Sequence, residues 1–456
     1  MDKVIKYVDE NLEKFIEELK DYIRIPSIST LPENKNDMIT CAKFVEANLK
    51  SIGIKTTKII KTDGHPLVYG EWLQAKDKPT VLVYGHYDVQ PIDPIELWDT
   101  DPFEPVVKDG KIWARGADDD KGQSFVHIKA VEAYLKTKKE LPVNVKFLFE
   151  GEEEIGSSSL ETFLKSKEGK DLLKCEAILI SDTSLYGEGI PTITYGLRGL
   201  AYLEVELTGP NRDLHSGSFG GAIANPINEL AKMIAKLHDE NGTITIPNFY
   251  DEVPEVTKQE KENFEALKFN DKKFAKEYKV AELSGEKGFS TLERLWTRPT
   301  LDCNGIFGGF TGEGAKTVLP SKATAKISMR LVPNQDPKKV AKIFTKYIKT
   351  LTPKSCKIKV TEMHGGNPVV VPLDDKAIVA ASEAVSKSFG KKTVYTREGG
   401  SIPIVVEFVK QLKSPAVLMG LGLDTDNIHS PNEHFSLKSF ERGILSSIYF
   451  LDNYSK

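Results

Sequence analysis

Cysteine is scarce in this 456-residue sequence. The four present, Cys41, Cys175, Cys303 and Cys356, are widely spaced and form no C-x-x-C pair, which argues against a disulfide framework and for a reduced, cytosolic protein. No apolar run reaches the ~18 residues that mark a membrane-spanning helix. The N-terminal stretch "MDKVIKYVDENLEKFIEELKDYIRIPS" is charged throughout and has no apolar core of the signal-peptide kind. Charge of one sign is not in excess either: 62 Lys and Arg stand against 66 Asp and Glu, for a net charge of −4 and a pI near 6.2. That leaves no basic footprint for nucleic acid, and the interleaved charges read as solvated surface. Internal repeats and low-complexity tracts are absent. These absences predict a cytoplasmic protein of enzyme size with neither a nucleic-acid nor a membrane partner. With 40% apolar and 28% charged residues, a sizeable core is available, and the length predicts more than one structural unit.

The pattern along the chain changes texture twice. Val4, Val8, Leu12, Phe15, Ile16, Leu19 and Ile23 fall on one face of a helix that Pro26 ends. A second helix is predicted over "MITCAKFVEANLKSI", stopping at Gly53. The runs "TVLVYG" (80–85), "VNVKFLF" (143–149), "EAILIS" (176–181) and "AVLMG" (416–420) read as buried strands. Helical patterns, "SFVHIKAVEAYLKT" and "SSSLETFLKSK", follow the first two, which predicts an α/β unit with a mainly parallel sheet. In the middle, "AYLEVELTG" (201–209), "TAKISMRLVP" (324–333) and "CKIKVTEM" (356–363) alternate as strands with one solvated face, and "NPINELAKMIAKLHD" and "DPKKVAKIFTKYIKTL" are helical. This predicts a small α+β domain of β-α-β-α-β order, with a long interruption near 245–320. The expected division is an α/β domain over 1–195 and 375–456 with an α+β insert over 196–374.

In parallel sheets, ligands bind beyond the carboxyl ends of the strands. There this sequence places its acids and histidines: His86 and Asp88 after "VLVYG", Asp118–Asp120 after "IWARGA", Glu152–Glu154 after "VKFLFEG", Asp182 after "ILIS" and His429 after "VLMGLG". So many carboxylates at one crevice repel each other and lose hydration. Arg115 and Lys121 are the nearby cations in sequence, too few to offset them. Divalent cations do offset them: imidazole and carboxylate ligands suit Zn²⁺, and also Mn²⁺ or Co²⁺. Two ions sharing one bridging carboxylate would each keep room for water. Each piece alone has a plainer reading. His-x-Asp can be a local hydrogen-bonded pair, "DDD" a turn before an N-capped helix, and "EEE" a solvated helix start. Only their joint recurrence after apolar strands points to a metal site.

The stretches "YGHYDVQP", "WARGADDDKGQ", "FEGEEEIGS", "SDT", "TYGLRG", "DLHSG", "GEGAKTVLP", "ISMRLVPNQDP", "REGGSIP" and "NIHSPNE" together resemble the M20 family of metallopeptidases, in its non-specific dipeptidase and carnosinase-like branch. The resemblance runs over nearly the whole chain. It implies a metallopeptidase catalytic domain with an inserted ferredoxin-like lid and dimerisation domain. It implies that His86 binds one metal and His429 the other, that Asp119 bridges them, and that Glu154 and Asp182 each bind one. Glu153 would be the general base and Asp88 the carboxylate beneath His86, with Asp118 and Glu152 as bystanders; the three-acid runs leave the register open by one residue either way. From the insert it implies His215 as an oxyanion donor contributed by the partner subunit of a homodimer, Arg330 as the grip on a substrate carboxylate, and Thr317 as a further substrate contact. Ser401, in "GGSIP", is implied as another. His65, His127, His238, His364 and His434 receive no role.

The implied activity is hydrolysis of free dipeptides with two divalent metal ions per subunit, Zn²⁺ or Mn²⁺, with Co²⁺ as a further choice. An N-acyl-amino-acid deacylase or desuccinylase on the same scaffold is the alternative, because the metal site does not separate the two. A non-catalytic binding protein is the third reading; it would be expected to have lost the base or a ligand, and Glu153 and all five ligand positions are present.

Overall fold

The computed structural model describes residues 1–399 and 402–456. The chain divides into two units: Met1–Tyr195 with Val371–Thr396 and Pro403–Lys456, and Gly196–Val370 with Arg397–Ile402.

The first unit is built on one mixed sheet. Its strands lie in the order Thr56–Ile60, Leu67–Trp72, Asn144–Glu150, Thr80–His86, Ala177–Ile180, Ala416–Leu418 and Thr192–Leu197. The four in the middle, Asn144–Glu150 through Ala416–Leu418, are mutually parallel; the flanking strands are antiparallel. The parallel four are the four apolar runs of the sequence, and they read as continuous runs because both of their faces are covered. Alternation along one strand shows how. Tyr84 makes an edge contact with Phe408 of helix Pro403–Leu412. Its neighbour Gly85 faces the other way: a Cβ there would lie 2.5 Å from Ser124 of helix Lys121–Thr137, so only glycine lets that helix approach the strand.

Helix Lys121–Thr137 is buried at every residue from Lys121 to Leu135, as a helix covered on all sides must be. Its charges are met internally. Lys129 donates to Glu18 at 2.6 Å and to Glu132 at 2.9 Å, and Lys121 donates to the Ile25 and Tyr22 carbonyls at 2.7 and 3.2 Å. Helices Asp2–Ile23 and Leu437–Tyr454 pack against it. The first helix buries Val4, Val8, Phe15, Leu19 and Ile23, the predicted face. Among the described residues, no helix is long and apolar enough to cross a membrane.

The second unit is a four-stranded antiparallel sheet in the order Thr300–Gly308, Lys322–Leu331, Gly199–Thr208, Lys357–Gly366. Helices Pro226–Ala235 and Pro337–Thr350 supply Leu230, Met233, Phe344 and Ile348 to a core shared with Leu203, Val205, Ile327 and Met329 of the sheet. The chain order is β-α-β-β-α-β, and the spatial order of the strands is second, third, first, fourth, the ferredoxin-like arrangement. The expected β-α-β-α-β order is corrected by one strand. Thr300–Gly308 lies inside the long interruption, and at a sheet edge it has mostly exposed side chains, so it carries no apolar alternation to read. The interruption also holds helices Lys258–Ala266 and Thr291–Trp296, each begun by a capping box, Thr257 with Glu260 and Ser290 with Glu293.

Candidate active site

Parallel strands end at one edge of a sheet, so the ends of the middle four converge. His86 is the last residue of its strand and pairs in register with Glu150; Asp182 follows Ile180 by two residues. The imidazole of His86 is fully buried. Its Nδ1 lies 3.1 Å from the Asp88 carbonyl and 3.4 Å from the Asp88 carboxylate. That carboxylate also accepts the backbone N–H groups of Glu153 and Glu154, at 3.3 and 3.1 Å. Asp88 thereby joins the histidine strand end to the three-glutamate turn.

Asp119 has one oxygen 3.1 Å from His86 Nε2 and the other 2.8 Å from His429 Nε2. Asp182 lies 3.9 Å from His86 Nε2 and Glu154 lies 3.2 Å from His429 Nε2. Two triads result, His86–Asp119–Asp182 and Asp119–Glu154–His429, each with ligand atoms within 4.8 Å of one another. They share Asp119.

The neighbouring acids do other work. Asp120 accepts the His86 backbone N–H at 3.1 Å and is the residue immediately before the buried helix. Asp118 is buried beside Asp426 and Glu433. Glu152 accepts the backbone N–H groups of His65 and Ser159, at 2.7 and 2.9 Å. Of each run of three, the carboxylates facing the two imidazoles are thus Asp119 and Glu154.

The electrostatics call for positive charge. Arg115 donates to Glu433 at 2.7 Å and Lys121 donates to backbone carbonyls, so neither offsets these carboxylates directly. Burial raises Asp182 well above the usual carboxylate range, and it raises Glu154. Burial also pushes Glu153 up to about 7, in the field of His86, Glu154, Asp119 and Asp88. Burial alone would lower His86, but its contacts with Asp119 and Asp88 prevail and raise it well above normal. Hydrogen bonds to Asp119 and Glu154 raise His429 to about 10. Protons thus sit where cations would. His86 Nε2 is buried with no hydrogen bond of good geometry, and a nitrogen so placed between carboxylates suits a ligand. Mixed imidazole and carboxylate donors in two triads with one shared oxygen pair fit two divalent ions of the borderline class.

Three residues near the site had no assigned role. Gln90, within "YDVQP", donates to Glu154 Oε2 at 2.6 Å. Glu433, within "SPNE", contacts the Asp119 loop. His127 reaches Ser181, the neighbour of Asp182, at 2.9 Å, and burial lowers it to about 3. It is therefore neutral, a hydrogen-bonding part of the core.

Other predicted residues lie in the second unit. His215 and Thr317 are brought together: strands Leu214–His215 and Val318–Leu319 pair, and the Ser216 N–H donates to the Thr317 carbonyl at 3.0 Å. The His215 ring accepts the Gly217 N–H at 3.0 Å. Arg330 is half-buried on strand Lys322–Leu331, lowered by burial. Arg198 is lowered to about 10 by burial and by the charge of Arg330, so two guanidinium groups are near each other. Ser401 lies outside the described residues.

Comparison with known proteins places this architecture. The model for peptidase family M20/M25/M40 matches residues 82–452. A Cys-Gly metallodipeptidase of Schizosaccharomyces pombe is 35% identical over 460 residues, covering 97% of this chain and 96% of that protein. The human Beta-Ala-His dipeptidase is 32% identical, over 99% of this chain and 92% of that protein. Among solved structures, an M20 family metallo-carboxypeptidase from Sulfolobus solfataricus superposes with a TM-score of 0.86 at 34% identity, covering 97% of this chain and 99% of that one. The chain belongs to peptidase family M20/M25/M40.

Proposed function

We propose that this protein is a binuclear metal-dependent dipeptidase. The observation that carries the reading is the pair of His–carboxylate triads sharing Asp119. His86, Asp119 and Asp182 would hold one divalent ion, and Asp119, Glu154 and His429 the other. Zn²⁺ and Mn²⁺ are the favoured ions, and Co²⁺ suits the same donors. Bound there, they supply an acidified water and a Lewis acid for the scissile carbonyl.

The protein's own residues do the rest. Glu153 takes the proton of the attacking water and delivers it to the leaving amine; a carboxyl near 7 is matched to both transfers. Asp88 orients the His86 ring through Nδ1 and pins the turn that carries Glu153 and Glu154. Arg330 grips the substrate's free carboxylate, for which a guanidinium has the matching fork. His215, from a partner subunit, donates to the developing oxyanion, and Thr317 and Ser401 add further contacts. The second unit serves as lid and dimerisation domain in a homodimer. Its edge strand Thr300–Gly308 exposes Ile306 and Phe307, which an unpaired edge does not do without risk. The four free thiols fit a reducing, cytoplasmic setting.

The relatives' names favour dipeptides over N-acyl amino acids as substrates, and the Sulfolobus protein is a metallo-carboxypeptidase. The test is a panel of dipeptides, including Cys-Gly and β-Ala-His, beside tripeptides and N-acyl amino acids, assayed after metal removal and after restoring Zn²⁺, Mn²⁺ or Co²⁺. Metal-restored cleavage of the dipeptides is expected. Cleavage of the acylated compounds alone would move the protein to the deacylase class.

A further inference from the structure

Three segments meet at the paired triads: residues 86–91 with His86 and Gln90, residues 115–119 with Asp119, and residues 426–433 with His429. One pair of side chains touches all three. Glu433 is fully buried and Arg115 is 1% exposed. Glu433 Oε2 accepts from Arg115 at 2.7 Å and from the Gly116 N–H at 3.0 Å. Its Oε1 accepts the N–H groups of Asp118 and Asp119, at 3.0 and 3.1 Å. The other arm of Arg115 donates to the Pro91 carbonyl at 3.0 Å, and its plane lies 5.4 Å from the Trp98 ring.

We propose that the Arg115–Glu433 pair is the positioning device for the bridging carboxylate and for the His429 half of the metal centre. Asp119 must present one oxygen to each imidazole at once, so its backbone has to be placed within about 0.5 Å. No regular element does this, because Asp119 lies in the loop between strand Lys111–Trp113 and helix Lys121–Thr137. Glu433 does it instead, by taking the N–H of Asp119 itself and two others of the same loop. His429 has no strand to hold it either. Its φ is +58°, and the loop that carries it is anchored four residues later by Glu433. His86, in contrast, is delivered by the central strand. A buried ion pair has an uncertain net effect on stability. Its placement at the junction of the ligand-bearing segments, with both acceptor oxygens fully used, is what assigns it to the site.

The inference rests on the binuclear reading, and the experiment separates the two. Co²⁺ binding is followed by visible absorption and by competition with a chelator, for the wild-type chain and for E433Q, with cooperative melting as the check on folding. Wild type binding fewer than two Co²⁺ per chain would remove the binuclear reading and this inference with it. With two bound to wild type, E433Q replaces one acceptor oxygen by an amide that cannot take its two donors. The expected result is the Co²⁺ on the His429 side held about 10–100-fold more weakly and the other, which His86 and Asp182 still hold, weakened clearly less, with turnover restored by added metal and KM unchanged. Two Co²⁺ bound at wild-type affinity and with the wild-type spectrum, or both weakened equally, would overturn the proposal. If E433Q fails to melt cooperatively, R115K carries the same test, since it keeps a cation beside Glu433 and gives up the Pro91 contact. The same stronger weakening of the Co²⁺ on the His429 side supports the pair's role, and unchanged binding of both overturns it.

Discussion

The two halves of the candidate metal centre share a carboxylate and differ in almost everything else. On one side His86 is fully buried, sits at the end of a central parallel strand and has its second nitrogen fixed by Asp88. On the other side the His429 side chain is 52% exposed and rides on a loop. The first half is a product of the sheet: the same packing that stabilises the domain positions the ligand. The second half is assembled from loop contacts through Asp119, Gln90 and Glu433. Rigidity in the first half comes with the fold, whereas in the second it depends on individual hydrogen bonds. The proposed function needs both halves, so the asymmetry is where it is most easily tested.

The largest effect is expected where the halves meet. Asp119→Ala removes a ligand from both triads and should abolish both metal binding and turnover. If the variant retained two tightly bound ions, the shared-ligand arrangement would be wrong. Next comes Glu153→Gln. A general base and acid contributes about 10²–10⁴-fold, so kcat should fall by that range while two ions stay bound; metal content and kcat are measured on one sample.

The halves should then separate. His429→Ala should retain one ion on His86, Asp119 and Asp182, with little change in melting temperature of the cation-free protein above about pH 10, where His429 is neutral and the two variants are compared. His86→Ala leaves buried carboxylates facing a void and should destabilise by roughly 1–3 kcal/mol. Equal melting temperatures for the two variants would erase the distinction drawn here.

pH acts on the exposed half. In the cation-free protein, Asp119 and Glu154 raise His429 to about 10, against about 6.5 in an unfolded chain. A ligand imidazole must be neutral, so capture of an ion there displaces a proton, and affinity at this subsite should rise by about tenfold per pH unit below about 10. The same shift has an opposite effect on cation-free stability. A raised pKa contributes stability in full below about 6.5, and that contribution is lost as pH rises through about 10. Thermal melts of the cation-free protein should therefore fall over that window, and His429→Ala should flatten the fall. A wild-type profile as flat as the variant's would show that His429 is not held protonated by its two acids.

The same contrast governs what could be read in the sequence. The four parallel strands were legible because burial on both faces makes them uninterrupted apolar runs, and His86 and Asp182 follow from where those runs end. The hairpin Thr56–Ile60 and Leu67–Trp72 was not read, nor was the edge strand Thr300–Gly308, whose side chains are largely exposed. The capping boxes at Thr257 and Ser290 are local signals inside the long interruption, and they mark the starts of its helices. Asp119 and Glu154 were separable from their acidic neighbours only through resemblance, since spacing gives all three of each run the same standing. Glu433 was out of reach for a different reason. Its partners are backbone N–H groups more than 300 residues away in the chain, and no local pattern records such a contact.

The smallest expected effect belongs to Gln90, and it is the sharpest probe of the looser half. Its amide donates to Glu154 Oε2 at 2.6 Å, the same oxygen that lies 3.2 Å from His429 Nε2. Gln90→Leu keeps the approximate volume and removes the donor. Glu154 then has one fewer restraint in a loop-built subsite, and hydrogen-bond partners of metal ligands contribute about 10–100-fold to affinity when they are well ordered. Gln90 is partly exposed, so the low end applies: about tenfold weaker binding of one ion, with the other unchanged. Chelator competition with Co²⁺ resolves the two. Weakening of the more tightly held ion instead would place Gln90's influence on the His86 side, and the division between a strand-fixed half and a loop-held half would have to be redrawn.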